Sequence, residues 1–146
     1  MNKYHFIFDK TKKSLEFKNK FLKRYKSYNP TICKAIIVFG GDGFMLNVLK
    51  KYQKYKKPFY GVNMGTYGFL MNKFNSFDIN KNILKAKLFT ITPLEMRVRT
   101  QSNKIFKAIA INEISLFRQS RQTASLQLKV GKKILLKKLL CDGVLI

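Results

Sequence analysis

The sequence predicts an α/β fold: a parallel-sheet domain over about residues 1–87, followed by the start of an all-β domain over residues 88–146. Three observations carry this. Apolar runs alternate with amphipathic stretches through the first half, in the order expected of strands joined by crossover helices. "KAIIVF" is apolar without interruption, as a strand covered on both faces of a parallel sheet should be. After Leu88 the helical spacing is lost and strand-like segments succeed one another.

Taken in order, "KYHFIFD" reads as a first strand. Thr11 is placed to cap a helix running to about Tyr28, with Leu15, Phe21, Leu22, Tyr25 and Tyr28 on one face and "NP" as its stop. The central strand "KAIIVF" follows, and its glycine-rich end leads into a second helix from about Phe44 to Tyr55. Lys57 and Pro58 introduce a third strand, "PFYGVN". From Leu88 the expected strands are "LFTITPLEMRVRT", "KIFKAIAINEISLFR", "SLQLKV" and "ILLKKLLCDGVLI", the last two joined around Gly131. The chain stops inside an apolar run, so truncation is expected, with an incomplete β domain that is inactive alone.

With 146 residues and 46% hydrophobic content, the chain can bury an ordinary core and does not resemble a disordered or low-complexity sequence. Its formal charge of +23 comes from 30 Lys plus Arg against 7 Asp plus Glu. Such a charge suits nucleic acid or an anionic surface, and a basic binding module is one alternative reading. The lysines are spread along the polar sides of amphipathic segments, however, and no zinc spacing or nucleic-acid-binding signature accompanies them, so no specific nucleic acid is expected. No stretch approaches the ~20 apolar residues of a membrane span and no secretory leader is evident, so the expectation is cytoplasmic, without a membrane. Cys33 and Cys141 read as small buried hydrophobes, and His5, the only histidine, as a structural residue in the first strand.

Chemistry concentrates in four short motifs. In "GGDG", Gly40, Gly41 and Gly43 allow positive φ and close approach to the main chain, while the next helix points its first amides into the turn, making a phosphate loop. Asp42 would repel an anion there. It makes sense as a ligand for Mg²⁺ or as the proton acceptor for an attacking hydroxyl, which together suggest phosphoryl transfer to an alcohol. The plain alternative is a structural turn with Asp42 capping the helix. In "GVNMGTYGFL", Asn63 offers an amide and tolerates left-handed geometry, Gly65 and Gly68 permit a close turn, and Phe69 presents a flat apolar face suited to a base. A glycine-rich loop with core aromatics would read the same way. In "AINEISL", Asn112 and Glu113 interrupt an apolar strand, where a carboxylate suits paired ribose hydroxyls or simply a lysine at the surface. In "CDGVLI", Asp142 precedes Gly143, alone no more than a turn signal.

In this order and at these separations the four motifs resemble the bacterial NAD kinase family, from about Lys34 to the last residue. The resemblance implies transfer of phosphate from ATP, or polyphosphate, to the adenosine ribose 2′-hydroxyl of NAD, with a divalent metal such as Mg²⁺ and a homo-oligomer of the full-length protein. Carried over by position, Asp42 is the proton acceptor, Gly43 lies beside it, Phe69 is near the adenine, Asn112 and Glu113 contact NAD, and Asp142 is the acid toward the nicotinamide. Two departures stand out: Phe44 where many members have Thr, and no Thr-Pro-x-Gly-Ser-Thr-Ala-Tyr stretch after Gly143. Diacylglycerol-kinase-like and phosphofructokinase-like enzymes share the "GGDG" loop and form the alternative within enzymes.

Overall fold

The structure is a computed structural model that describes residues 2–74 and 78–146. It divides into two compact units, Met1–Thr90 and Ile91–Ile146. In the first unit, β1 (Tyr4–Phe8), β2 (Ala35–Gly40) and β3 (Phe59–Asn63) form a parallel sheet in the order β1-β2-β3. The sheet is α/β in the expected sense, with "AIIVFG" as its central strand and every residue of that strand buried.

The period-2 alternation of β2 divides the core. Ala35, Ile37 and Phe39 face a cluster with Tyr4, Phe6, Phe21, Val62, Met64 and Ile79, while Ile36 and Val38 join Cys33, Met45, Val48 and Met71 on the opposite face. The first face is aromatic. Phe8 and Phe39 stack with centroids 4.6 Å apart, and the fully buried Phe21 meets Phe6 edge-on at 5.0 Å.

Helix α1 spans Lys12–Leu22, with Thr11 accepting a bond from the Ser14 amide as its N-cap. It ends well before the expected Tyr28. The segment beyond it is drawn instead along the open edge of β1, where Ser27 Oγ accepts from the Phe6 amide and the Tyr28 amide donates to Tyr4 O. An edge strand offers unpaired groups, and these bonds satisfy them at the cost of the helix between Leu22 and Tyr28. The buried face also differs: Ser14 and Phe21 are buried and Phe17 packs against the core, whereas Leu15 and Leu22 are exposed. His5 has the expected structural role, with Nδ1 2.7 Å from Tyr28 O and its ring against Tyr52.

Helix α2 (Asp42–Tyr52) leaves β2 through Gly41, two residues earlier than expected, and continues as a 3₁₀ turn, Gln53–Tyr55. A short helix that the sequence reading lacked, α3 (Ile79–Leu84), is capped by Asp78, whose carboxylate accepts from the Lys81 amide at 3.1 Å. Its fully buried Ile79 belongs to the aromatic face of the core.

The second unit holds six strands. β4 (Leu94–Arg99) pairs antiparallel with β5 (Ile105–Ala110), β7 (Ala124–Val130) with β8 (Lys133–Cys141), and β6 (Ser115–Phe117) with β9 (Gly143–Leu145). The turns linking the first two pairs contain Asn103 and Gly131, both at positive φ, which a short reversal asks of such residues. Three expected strands are shorter or broken. β4 begins at Leu94 rather than Leu88, bends at Ile111 and Asn112 separate β5 from β6, and Asp142 separates β8 from β9.

Candidate active site

β2 ends at the mouth of the parallel sheet, and Gly40 is its last residue. The Met64 amide donates to Gly40 O at 3.0 Å, fixing the start of the second glycine loop against the end of the central strand. That loop is closed at its base, where the Asn63 amide donates to Asn72 O at 2.8 Å and the Asn72 amide to Gly61 O at 2.9 Å. Main-chain bonds thus hold both glycine-rich loops at the carboxyl ends of β2 and β3, the end at which parallel sheets bind ligands.

Asp42 joins the two loops. Its Oδ2 accepts from the Phe69 amide at 2.7 Å and its Oδ1 from the Leu70 amide at 3.0 Å. Sequence reading allowed a capping role, but Gly41 is the N-cap and provides no side-chain cap bond, while Asp42 is the first helical residue and its carboxylate serves the other loop. A negative charge in the first turn also interacts favourably with the helix dipole. Each oxygen takes one amide, which leaves acceptor capacity on both. Asp42 is half-buried and Phe69 wholly exposed, so the carboxylate is bonded to the main chain of a residue whose aromatic side chain is bare.

The glycines work by space rather than by positive φ. Among the described residues Gly131 is the only glycine at positive φ, so the turn in "GGDG" does not use the positive φ that its glycines allow, nor Asn63 the left-handed geometry it tolerates. Asn63 instead closes β3, and its Oδ1 accepts from the Gly65 amide at 2.8 Å. A Cβ at Gly41 or Gly43 would meet nothing within 4 Å, which leaves the main chain of this turn open to another molecule.

In the second unit, the third and fourth motifs come together. Ile114 and Ile146 exchange two main-chain bonds at the end of the β6–β9 pair, and the Arg118 amide donates to Asp142 O at 2.9 Å. The Arg118 guanidinium also pairs with the Asp142 carboxylate, so this acid has a partner within its own unit. Gly143 is required sterically, since a Cβ would strike Leu116 O. Asn112 and Glu113 are exposed and lie outside strands, in the bend that precedes β6, because the turn from β5 takes them out of the ladder.

Comparison with known proteins gives the family. The description of the ATP-NAD kinase N-terminal domain matches residues 4–89. The chain belongs to the NAD kinase family. The NAD kinase of Brucella suis biovar 1 is 40% identical over 142 residues, covering 97% of this chain and 55% of the relative, and that of Rickettsia prowazekii is 35% identical over 146 residues, covering 100% and 57%. The chain thus spans about half the length of the curated relatives it matches. A crystal structure of an NAD kinase from Archaeoglobus fulgidus in complex with ATP shares the fold with a TM-score of 0.65 at 23% identity, covering 99% of this chain and 59% of that one.

A further acid at the sheet mouth, not singled out from the sequence, is Asp9: it stands at the carboxyl end of β1, and its Oδ1 accepts from the Thr11 amide at 3.1 Å and the Thr11 hydroxyl at 2.6 Å. The signal available was its position just after an apolar strand, where parallel sheets collect ligand-facing residues.

Proposed function

We propose that this member of the NAD kinase family contributes the phosphate loop and the acceptor carboxylate of an enzyme that phosphorylates the adenosine ribose 2′-hydroxyl of NAD from ATP. The observation carrying the proposal is the Asp42 carboxylate, anchored through both oxygens by the Phe69 and Leu70 amides beside the exposed Phe69 ring. A planar base packed on that ring brings its ribose toward an acid with free acceptor sites. Asp42 would accept the hydroxyl hydrogen bond and aim the oxygen, then take its proton as the new bond to the γ-phosphorus forms and the bond from that phosphorus to the bridging oxygen of ADP breaks. Because such transition states are loose, aiming contributes more than basicity.

The donor phosphates would lie against the open main chain at Gly41 and Gly43, near the first amides of α2. Among the described residues no group of three His, Cys, Asp or Glu side chains is arranged to hold a metal. Mg²⁺ is commonly held by water and phosphate oxygens with one or two carboxylates, and Asp42 would be the candidate to supply one. When bound, the ion would neutralise charge building on the transferred phosphoryl group. By the family resemblance, Asn63 of the first unit is a proposed NAD contact, as are Asn112, Glu113 and Asp142 of the second, each considered within its own unit.

The test is NADP formation from NAD and ATP by the full-length protein, with diacylglycerol and fructose 6-phosphate as rival acceptors. Asp42→Asn, which keeps shape but cannot take the proton, is expected to lose most turnover; near-normal turnover in that variant would refute the assignment of Asp42.

A further inference from the structure

Gly68 is the residue in the second loop whose missing side chain touches the chemistry. A Cβ there would stand 2.9 Å from Asp42 Oδ1, and 3.1 and 3.2 Å from Cγ and Cβ of Met71. The first distance is closer than a carbon and an oxygen approach without a bond, so one of them would have to move. The backbone does not call for glycine here, because Gly68 is not among the glycines at positive φ. What this position requires is room.

The surroundings decide which group would move. Met71 is buried in the core face formed with Ile36, Val38, Met45 and Val48, and Leu70 O lies 2.8 Å from the Cβ position of Gly61 in β3. The loop therefore rests on a packed floor and is tied at its base by the Asn63 and Asn72 bonds. The carboxylate of Asp42 ends a short side chain at a half-buried surface and is the freer party. A side chain at position 68 would push Oδ1 off the Leu70 amide and rotate the carboxylate away from its present aim.

We propose that Gly68 is a positioning residue for Asp42: by leaving space for Oδ1 it lets the Phe69 and Leu70 amides fix the carboxylate, so the second glycine motif sets the geometry of the acid in the first. The inference rests on the phosphoryl-transfer reading of Asp42 for its effect on turnover, but not for its effect on the hydrogen bonds.

Both are measured with Gly68→Ala and Asp42→Asn, made singly and together. In ¹⁵N-labelled protein the Phe69 and Leu70 amide protons are expected far downfield, and Asp42→Asn and Gly68→Ala should each move both upfield while the Val38 and Phe39 amides of β2 stay in place. With NAD and ATP, Gly68→Ala should lower kcat by about 10- to 100-fold with KM for NAD within about threefold, the signature of misaimed chemistry rather than lost binding. In the Asp42→Asn background it should cost nothing more, because its effect passes through the carboxylate. Unmoved amides, or an equal loss of kcat in both backgrounds, would overturn the proposal. Should Gly68→Ala lower the melting temperature, Asp42→Ala in the same chain should restore it, and failure to restore it would count equally against the proposal. Normal turnover in Asp42→Asn would remove the catalytic reading of Asp42, while the amide shifts would still decide whether Gly68 positions it.

Discussion

Asp9 Oδ2 lies 3.0 Å from the point where Gly40 would carry a Cβ, so the ends of β1 and β2 meet through an acid and an absent side chain. The Phe44 ring is closer still, at 2.7 Å from that point. Asp9 cannot swing away freely, because its other oxygen holds Thr11, the cap of α1. Gly40→Ala should therefore destabilise the fold by about 1–3 kcal/mol, as overpacking does, whereas Gly41→Ala, with open space around it, should lose only the N-cap preference for glycine, about 0.5–1 kcal/mol. Urea denaturation midpoints read both. Gly41→Ala should instead raise KM for ATP, because its methyl group occupies the open main-chain surface proposed for donor phosphates. Equal midpoints for the two variants would defeat the packing account.

Phe69 offers the complementary separation. Its ring is fully exposed while its amide is committed to Asp42, so truncating the ring removes a surface without touching the anchor. Phe69→Ala is expected to leave thermal stability unchanged and to raise KM for NAD by about 2- to 12-fold, the loss of one aromatic contact of about 0.5–1.5 kcal/mol. A fall in kcat with constant KM would mean that the ring acts on the carboxylate instead of on the substrate.

The fold was legible where periodicity and burial coincide. "KAIIVF" can be little other than a strand covered on both faces, and the two glycine motifs after β2 and β3 announce the sheet mouth. The end of α1 was illegible because Leu22, Tyr25 and Tyr28 keep helical spacing, and only the tertiary pull of the β1 edge on Ser27 and Tyr28 ends the helix early. Asp42 was identified from composition, as an acid among glycines in a basic chain, yet its partners were hidden. Bonds to the amides of Phe69 and Leu70 span 27 and 28 residues and leave no pattern in the side-chain sequence. The role of Gly68 was hidden for the same reason, since a glycine that makes room looks no different in sequence from one that makes a turn.

Alkaline behaviour should follow from burial. Tyr60 is partly buried beside the core, and desolvation raises its phenol above the ordinary value of 10.0. The unfolded chain then gives up this proton before the folded one does, so the contribution to stability is whole below pH 10.0 and is lost as pH climbs through the raised folded value. Buried Cys33 behaves alike, with its thiol raised above 9.0 chiefly by desolvation. The difference between variant and parent isolates the phenol from the rest of the chain and is the clean measure. Relative to the parent, Tyr60→Phe should gain stability steadily above pH 10.0 and show no such trend below pH 9.0. A flat difference across that range in urea titrations would show that the phenol titrates alike in both states.

Ser14 tests the core of the first unit. It is fully buried on the inner face of α1, and its Oγ has no hydrogen-bond partner among the described residues. Its amide, by contrast, is used, donating to Thr11 Oγ1 at the start of the helix. A stranded buried hydroxyl costs about 1–3 kcal/mol and serine is a poorer helix former than alanine, so Ser14→Ala should raise stability, by about 1 kcal/mol after the small loss of packed volume. Thr11→Ala removes the acceptor of the amide and should lower stability by about 1 kcal/mol. Opposite shifts in the urea midpoint from two residues three apart on one helix are the expected result. A destabilised Ser14→Ala would mean that the hydroxyl is satisfied in solution and that α1 sits against β1 and β2 differently from the arrangement described.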